Sequence, residues 1–141
     1  MTPTKLEAAS RQLDAAMRLF LEGDYLSSLT LAGAAEEILG RLCERAGKTV
    51  AAEAVAAFHF PDTDPALTDQ ERKKILFDVM NRPRNEAKHA NDPAETHVVV
   101  ERDFALQMIM RAMPMARNLG ASPPRDAEMA AWIHAHPEAT Q

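Results

Sequence analysis

Leu6, Ala9, Leu13, the pair Ala16-Met17, and Phe20 recur at spacings of three and four residues. That period puts the whole set on one face of an α-helix over residues 4–21, and a strand, with its period of two, cannot accommodate it. Gly23-Asp24 ends the pattern, because glycine suits the turn after a helix and aspartate caps the start of the next. A second, more hydrophobic helix is predicted over residues 25–46, closed by Gly47. So short a break between two amphipathic helices implies an antiparallel hairpin. The rest of the chain favours the same class. Ala, Leu, Met, Glu, Arg and Gln support helix, long runs of β-branched residues are almost absent, and aromatics are only 5%. An all-α domain is therefore expected. A length of 141 residues suits one such domain, and 46% hydrophobic residues can fill its core.

The remaining breakers divide the chain further. Residues 49–58 read as a short third helix, and the two prolines and two aspartates of residues 59–67 read as a loop. Thr68 followed by Glu71 is a capping-box pattern that opens a helix over residues 69–81. Pro83 is expected to interrupt it and to start a short helix over residues 84–90. The last long helix is predicted over residues 98–119, with a kink or early end at Pro114. Beyond Gly120, Pro123-Pro124 suggests a stiff exposed linker before a short amphipathic segment anchored by Trp132. The organisation expected is a helical bundle over residues 1–120 and a tail over 121–141.

Cys43 is the one cysteine, which excludes a disulfide framework and a multi-cysteine zinc site. No apolar stretch reaches the roughly 20 residues that cross a bilayer, and the first turns are charged, so no membrane segment or signal peptide is expected. A reducing, cytoplasmic setting follows as the default. No glycine-rich phosphate loop, serine triad or dinucleotide fingerprint occurs, and His134 and His136 lack further ligands; neither cofactor nor metal is expected. The methionines of the last helix (Met108, Met110, Met113, Met115) suit adaptable packing in the core or at a dimer face.

One residue of the second helix breaks its pattern. With Leu31 at zero on a helical wheel, Ala35, Ile38 and Leu42 lie within about 40°, whereas Glu36 falls near 140°, inside the apolar half. A carboxylate there either reaches solvent at the edge of the stripe or is buried or interfacial and paired with an arginine elsewhere, for which Arg84 is a natural candidate. Gly33 and Gly40 in the same helix each cost about 1 kcal/mol of propensity against alanine, which suggests that another backbone approaches closely.

Charge is also unevenly spread. Between Glu71 and His89 six lysines and arginines face three acids, although the chain as a whole carries −5. The overall acidity excludes a protein that coats nucleic acid along its whole surface; it allows one focused anion site. Inside the basic segment stands Arg84-Asn85-Glu86-Ala87-Lys88-His89. His89 can move protons near neutrality, and Arg84 can stabilise a charged phosphate. Asn85, four residues from His89, can orient the ring or a phosphate. Arg84 and His89 are about 140° apart on an ideal helix, a gap that arginine's length would have to bridge.

Arg-Asn-x-x-x-His resembles the signature of the HEPN superfamily (higher eukaryotes and prokaryotes nucleotide-binding), small helical proteins with an arginine, four to six residues and a histidine late in the bundle. The resemblance spans residues 4 to about 120. It implies a four- to five-helix up-and-down bundle that dimerises and brings two motifs into one cleft. It also implies a metal-independent endoribonuclease acting on single-stranded RNA, with possible roles as a toxin or in phage defence. On that reading Arg84, Asn85 and His89 are catalytic, and Lys88, Arg82, Lys73 and Lys74 hold the RNA backbone. Glu36 matches a polar second-helix residue of some members. The alternative is a non-catalytic HEPN-like module in which Arg84, Asn85, His89 and Glu36 make polar interface contacts, serving as an adaptor or as the partner of a cognate protein such as an antitoxin.

Overall fold

The computed structural model describes residues 1–141 and contains six α-helices and no strand. The helices are α1 (Lys5–Leu21), α2 (Tyr25–Arg45), α3 (Ala51–His59), α4 (Asp69–Lys88), α5 (Arg102–Asn118) and α6 (Asp126–Ala135). No helix is long and apolar enough to cross a membrane.

The first hairpin forms as its sequence dictates. Thr4 and Glu7 exchange reciprocal bonds at the start of α1, and Asp24 accepts from the Ser27 amide at the start of α2. The bonds to Ser27 hold the Asp24 carboxyl below its ordinary pKa. Between the two helices Gly23 takes a φ of 88°, a left-handed conformation that side chains rarely adopt. The hairpin is locked from inside by Ser28, fully buried, whose hydroxyl donates to the Ala16 carbonyl at 2.7 Å.

The apolar faces of α1 and α2 close on α5 to form the core. Leu13, Met17, Leu29, Leu39, Leu106 and Ile109 are buried there, each contributing about 1.5–3 kcal/mol relative to an exposed side chain. Cys43 packs among them with its sulfur 4.0 Å from the Met115 carbonyl oxygen, and burial pushes its thiol pKa up, so it is an inert core residue. Met108, Met113 and Met115 are core residues as well; Met110 faces outward. Glu36 meets Arg111 and Cys43 meets Met115, so α5 runs in the same direction as α2. Arg84 meets Glu36 while Lys73 reaches Glu53 beyond the end of α2, so α4 runs against α2. The direction alternates along α1, α2, α4 and α5, an up-and-down bundle with α3 as a short connector.

Three boundaries differ from the sequence reading. Pro83 does not interrupt α4, which continues to Lys88. Its missing amide would have bonded the carbonyl of Val79, an exposed residue, so water can take that carbonyl and the helix proceeds. Pro114 is passed in the same way, because the carbonyl it frees belongs to partly exposed Met110. Residues 98–100 are not helical: α5 starts only at Arg102, and Val98, Val99 and Val100 form an exposed irregular run before it. β-branched side chains lose χ1 freedom in a helix, and here no apolar neighbour compensates them.

The segment after Gly120 is not a free linker. Pro123 is buried, Met129 enters the core completely, and Trp132 sets its ring edge-on to Phe20 with centroids 4.8 Å apart. Ion pairs Asp14–Arg125 (3.0 Å) and Arg117–Asp126 (2.9 Å) fasten α6 across α1 and α5. Residues 121–141 thus complete the bundle they follow.

Candidate functional site

On α4 the residues sort onto three faces. Leu76, Met80 and Pro83 share one; Phe77, Asn81, Arg84 and Lys88 lie about 110° round; Asp78, Arg82, Asn85 and His89 lie about 200° round. The second face turns onto α2. The third turns to solvent, and this division decides what the arginine–histidine motif can do.

Arg84 is drawn inward. Its side chain is 11% exposed and its Nη1 donates to Glu36 Oε2 at 3.1 Å. The second carboxylate oxygen of Glu36 accepts from Arg111 Nη2 at 2.8 Å, and the same Nη2 reaches Asn81 Oδ1 at 3.1 Å. One carboxylate, itself 5% exposed, therefore ties α4 and α5 to α2. Of the two readings of Glu36, burial against Arg84 is the one the structure adopts. The close approach at Gly33 is made by Arg84 and not by backbone: a Cβ on Gly33 would lie 2.5 Å from both Cγ and Cδ of the arginine stem. Gly40 has only ordinary contact, with Val50 Cγ1 at 3.6 Å. Two cations share one anion, and the Nε groups of Arg84 and Arg111 are both buried without an acceptor. Each such orphaned donor costs about 1–3 kcal/mol.

Arg111 is the residue that sequence reasoning missed. A signal was present, since Met108, Arg111, Ala112 and Met115 follow the i, i+3, i+4, i+7 pattern of one helix face. The same test that singled out Glu36 on α2 places Arg111 on the apolar stripe of α5.

Asn85 and His89 point away from that cluster. Both are exposed, and His89 is the C-terminal cap of α4 in extended backbone, its amide bonded to the Asn85 carbonyl. With Arg82 they line a shallow hollow of about 370 Å³. Arg82, and not Arg84, is thus the arginine that shares a surface with His89. The hollow also carries Asp78, Glu86, Asp92 and Glu95, four carboxylates against one permanent cation. Such a surface repels phosphate within a single chain.

The other basic residues are mostly engaged. Lys73 pairs with Glu53 of α3 at 2.9 Å, and Lys88 lies 3.9 Å from Glu37. Arg72 is a structural clamp: Nη2 donates to the Phe60 carbonyl at 3.0 Å, Nε donates to Thr63 Oγ1, and the guanidinium sits 4.0 Å over the Phe60 ring. Lys74 stays exposed without an ion-pair partner. The positive segment is therefore largely neutralised by folding, and its members do not converge on one cleft. Searches against protein-family models, curated proteins and solved structures yield no match for this chain.

Proposed function

We propose that this chain is a non-catalytic, HEPN-like helical interaction module that associates first with a second copy of itself. The observation that carries the reading is the commitment of Arg84 to Glu36. An arginine bonded at 3.1 Å to a buried carboxylate holds helices together and has little charge left for a phosphate. The surface of α4 supports the same reading. This helix buries no residue fully, and Ile75 and Val79, one turn apart, are 47% and 57% exposed. An apolar ridge of that kind suits a second helix laid against it. A cognate protein partner would compete for the same ridge.

Light scattering is expected to give a dimer mass for the wild type. Ile75→Glu combined with Val79→Glu is expected to give a monomer with unchanged helical circular dichroism. A wild type that stays monomeric at every accessible concentration overturns the proposal.

The second reading is a metal-independent endoribonuclease completed across a dimer. It is favoured by one feature, the shared exposure of Arg82, Asn85 and His89 in a single hollow. There His89 would move the proton of the attacking 2′-hydroxyl, and Arg82 would stabilise the phosphate charge. Labelled single-stranded RNA incubated with the protein in EDTA separates the two. The interaction reading expects no cleavage above background. Cleavage that disappears in both His89→Ala and Arg82→Ala would establish the enzyme instead.

A further inference from the structure

A cavity of about 640 Å³ opens between α3, α4 and α5, on a different face of α4 from the His89 hollow. Its wall is mainly apolar, with Leu76, Met80 and Pro83 from α4 and Phe104 from α5. Arg111 reaches it from behind with a side chain that is 9% exposed. Only Nη2 of that guanidinium is engaged, by Glu36 and Asn81; Nε is buried without an acceptor, and Nη1 makes no hydrogen bond to the protein. The buried cluster of Glu36, Arg84 and Arg111 holds two guanidiniums against one buried carboxylate, and the further carboxylates near it, Glu37, Glu44 and Glu53, lie on the α2–α3 side, away from this cavity. A low-dielectric wall backed by a guanidinium with free donors attracts an anion more strongly than the same charge in water would.

We propose that this cavity binds a small organic anion whose apolar body fills the wall and whose single carboxylate, sulfonate or phosphate head meets Arg111. The size fits: pockets for small ligands run from about 300 to 1,000 Å³, mostly apolar with a few placed polar groups. Asp62 is the one carboxylate bordering the cavity, and its side chain is 78% exposed, so water screens it from the site. Gln107, exposed on α5, borders the same space and offers an amide to the head group. The site is formed within one chain, and Val79 of its rim also belongs to the Ile75–Val79 ridge, so dye binding is read on the monomeric Ile75→Glu/Val79→Glu protein as well as on the wild type.

Fluorescence titration with anilinonaphthalene sulfonate, and with the neutral phenylnaphthylamine of nearly the same shape, tests the proposal. One sulfonate is expected per chain, bound about tenfold or more tightly than the neutral dye at physiological ionic strength. Gln107→Glu, which sets a carboxylate beside Arg111 at an exposed position, is expected to weaken the sulfonate about tenfold and to leave the neutral dye within about twofold. Phe58→Ser removes a side chain that is 78% exposed and outside the cavity, and should change neither dye. Equal affinity for the two dyes, indifference of the sulfonate to Gln107→Glu, or loss of binding in Phe58→Ser would each overturn the assignment.

Discussion

Glu36→Gln is expected to destabilise the protein by about 3–5 kcal/mol, the largest effect of any single polar substitution in the chain. The amide keeps the shape of the carboxylate and removes its charge, leaving Arg84 and Arg111 buried at 11% and 9% exposure without an anion. No other carboxylate bonds either guanidinium: Asn81 offers Arg111 only a neutral oxygen, and Glu37, Glu44 and Glu53 border the same hollow without pairing to them. The loss also falls where the bundle is least able to absorb it. Helix α4 contributes no fully buried side chain, so its attachment to α2 depends heavily on this cluster. Arg84→Met should cost clearly less, because it leaves Glu36 and Arg111 as a balanced pair at 2.8 Å. Replacing all three groups together by apolar residues of similar volume is expected to be near neutral, since the desolvation of every charge is then avoided. Urea unfolding, read as midpoint multiplied by slope, ranks the three variants. A Glu36→Gln protein within about 1 kcal/mol of wild type would show that water already serves the two guanidiniums.

The same cluster shows how far the sequence carries. Glu36 is legible because a carboxylate on an apolar stripe contradicts its surroundings, and an arginine elsewhere in the chain, Arg84, is its simplest partner. Arg111 obeys the same logic, yet a helix with four methionines reads as adaptable packing, and that reading does not draw in its arginine. What the period on α4 does show is the split between Arg84 and His89, about 140° apart, and the fold resolves that split by burying one and exposing the other. The prolines mislead for a different reason. A proline in a helix costs one hydrogen bond and a clash with the carbonyl four residues back. That cost is most easily met where the carbonyl can tilt out to water, and local sequence does not reveal that Val79 and Met110 face solvent. The attachment of α6 is likewise tertiary. Trp132, Arg125 and Asp126 acquire meaning only from Phe20, Asp14 and Arg117 respectively, residues far away in sequence or on another helix.

Two glycines of α2 should respond to alanine with opposite signs. Helix propensity alone promises about 1 kcal/mol of stabilisation at each. At Gly40 that gain is expected nearly in full, because the new methyl group meets only Val50 Cγ1 at 3.6 Å. At Gly33 the methyl would stand 2.5 Å from Cγ and Cδ of Arg84, atoms in the middle of the stem that cannot step aside while the guanidinium stays on Glu36. Either the arginine withdraws and leaves its buried position, or α4 moves off α2. The net result expected is a loss of about 1–3 kcal/mol, overpacking outweighing propensity. The cause is testable through coupling. Arg84→Ala removes Cγ and Cδ and leaves only Cβ, at 3.4 Å, so in that background Gly33→Ala should turn neutral or stabilising. If Gly33→Ala stabilises the wild type as Gly40→Ala does, Arg84 does not lie across α2 at that point, and its pairing with Glu36 is lost with it.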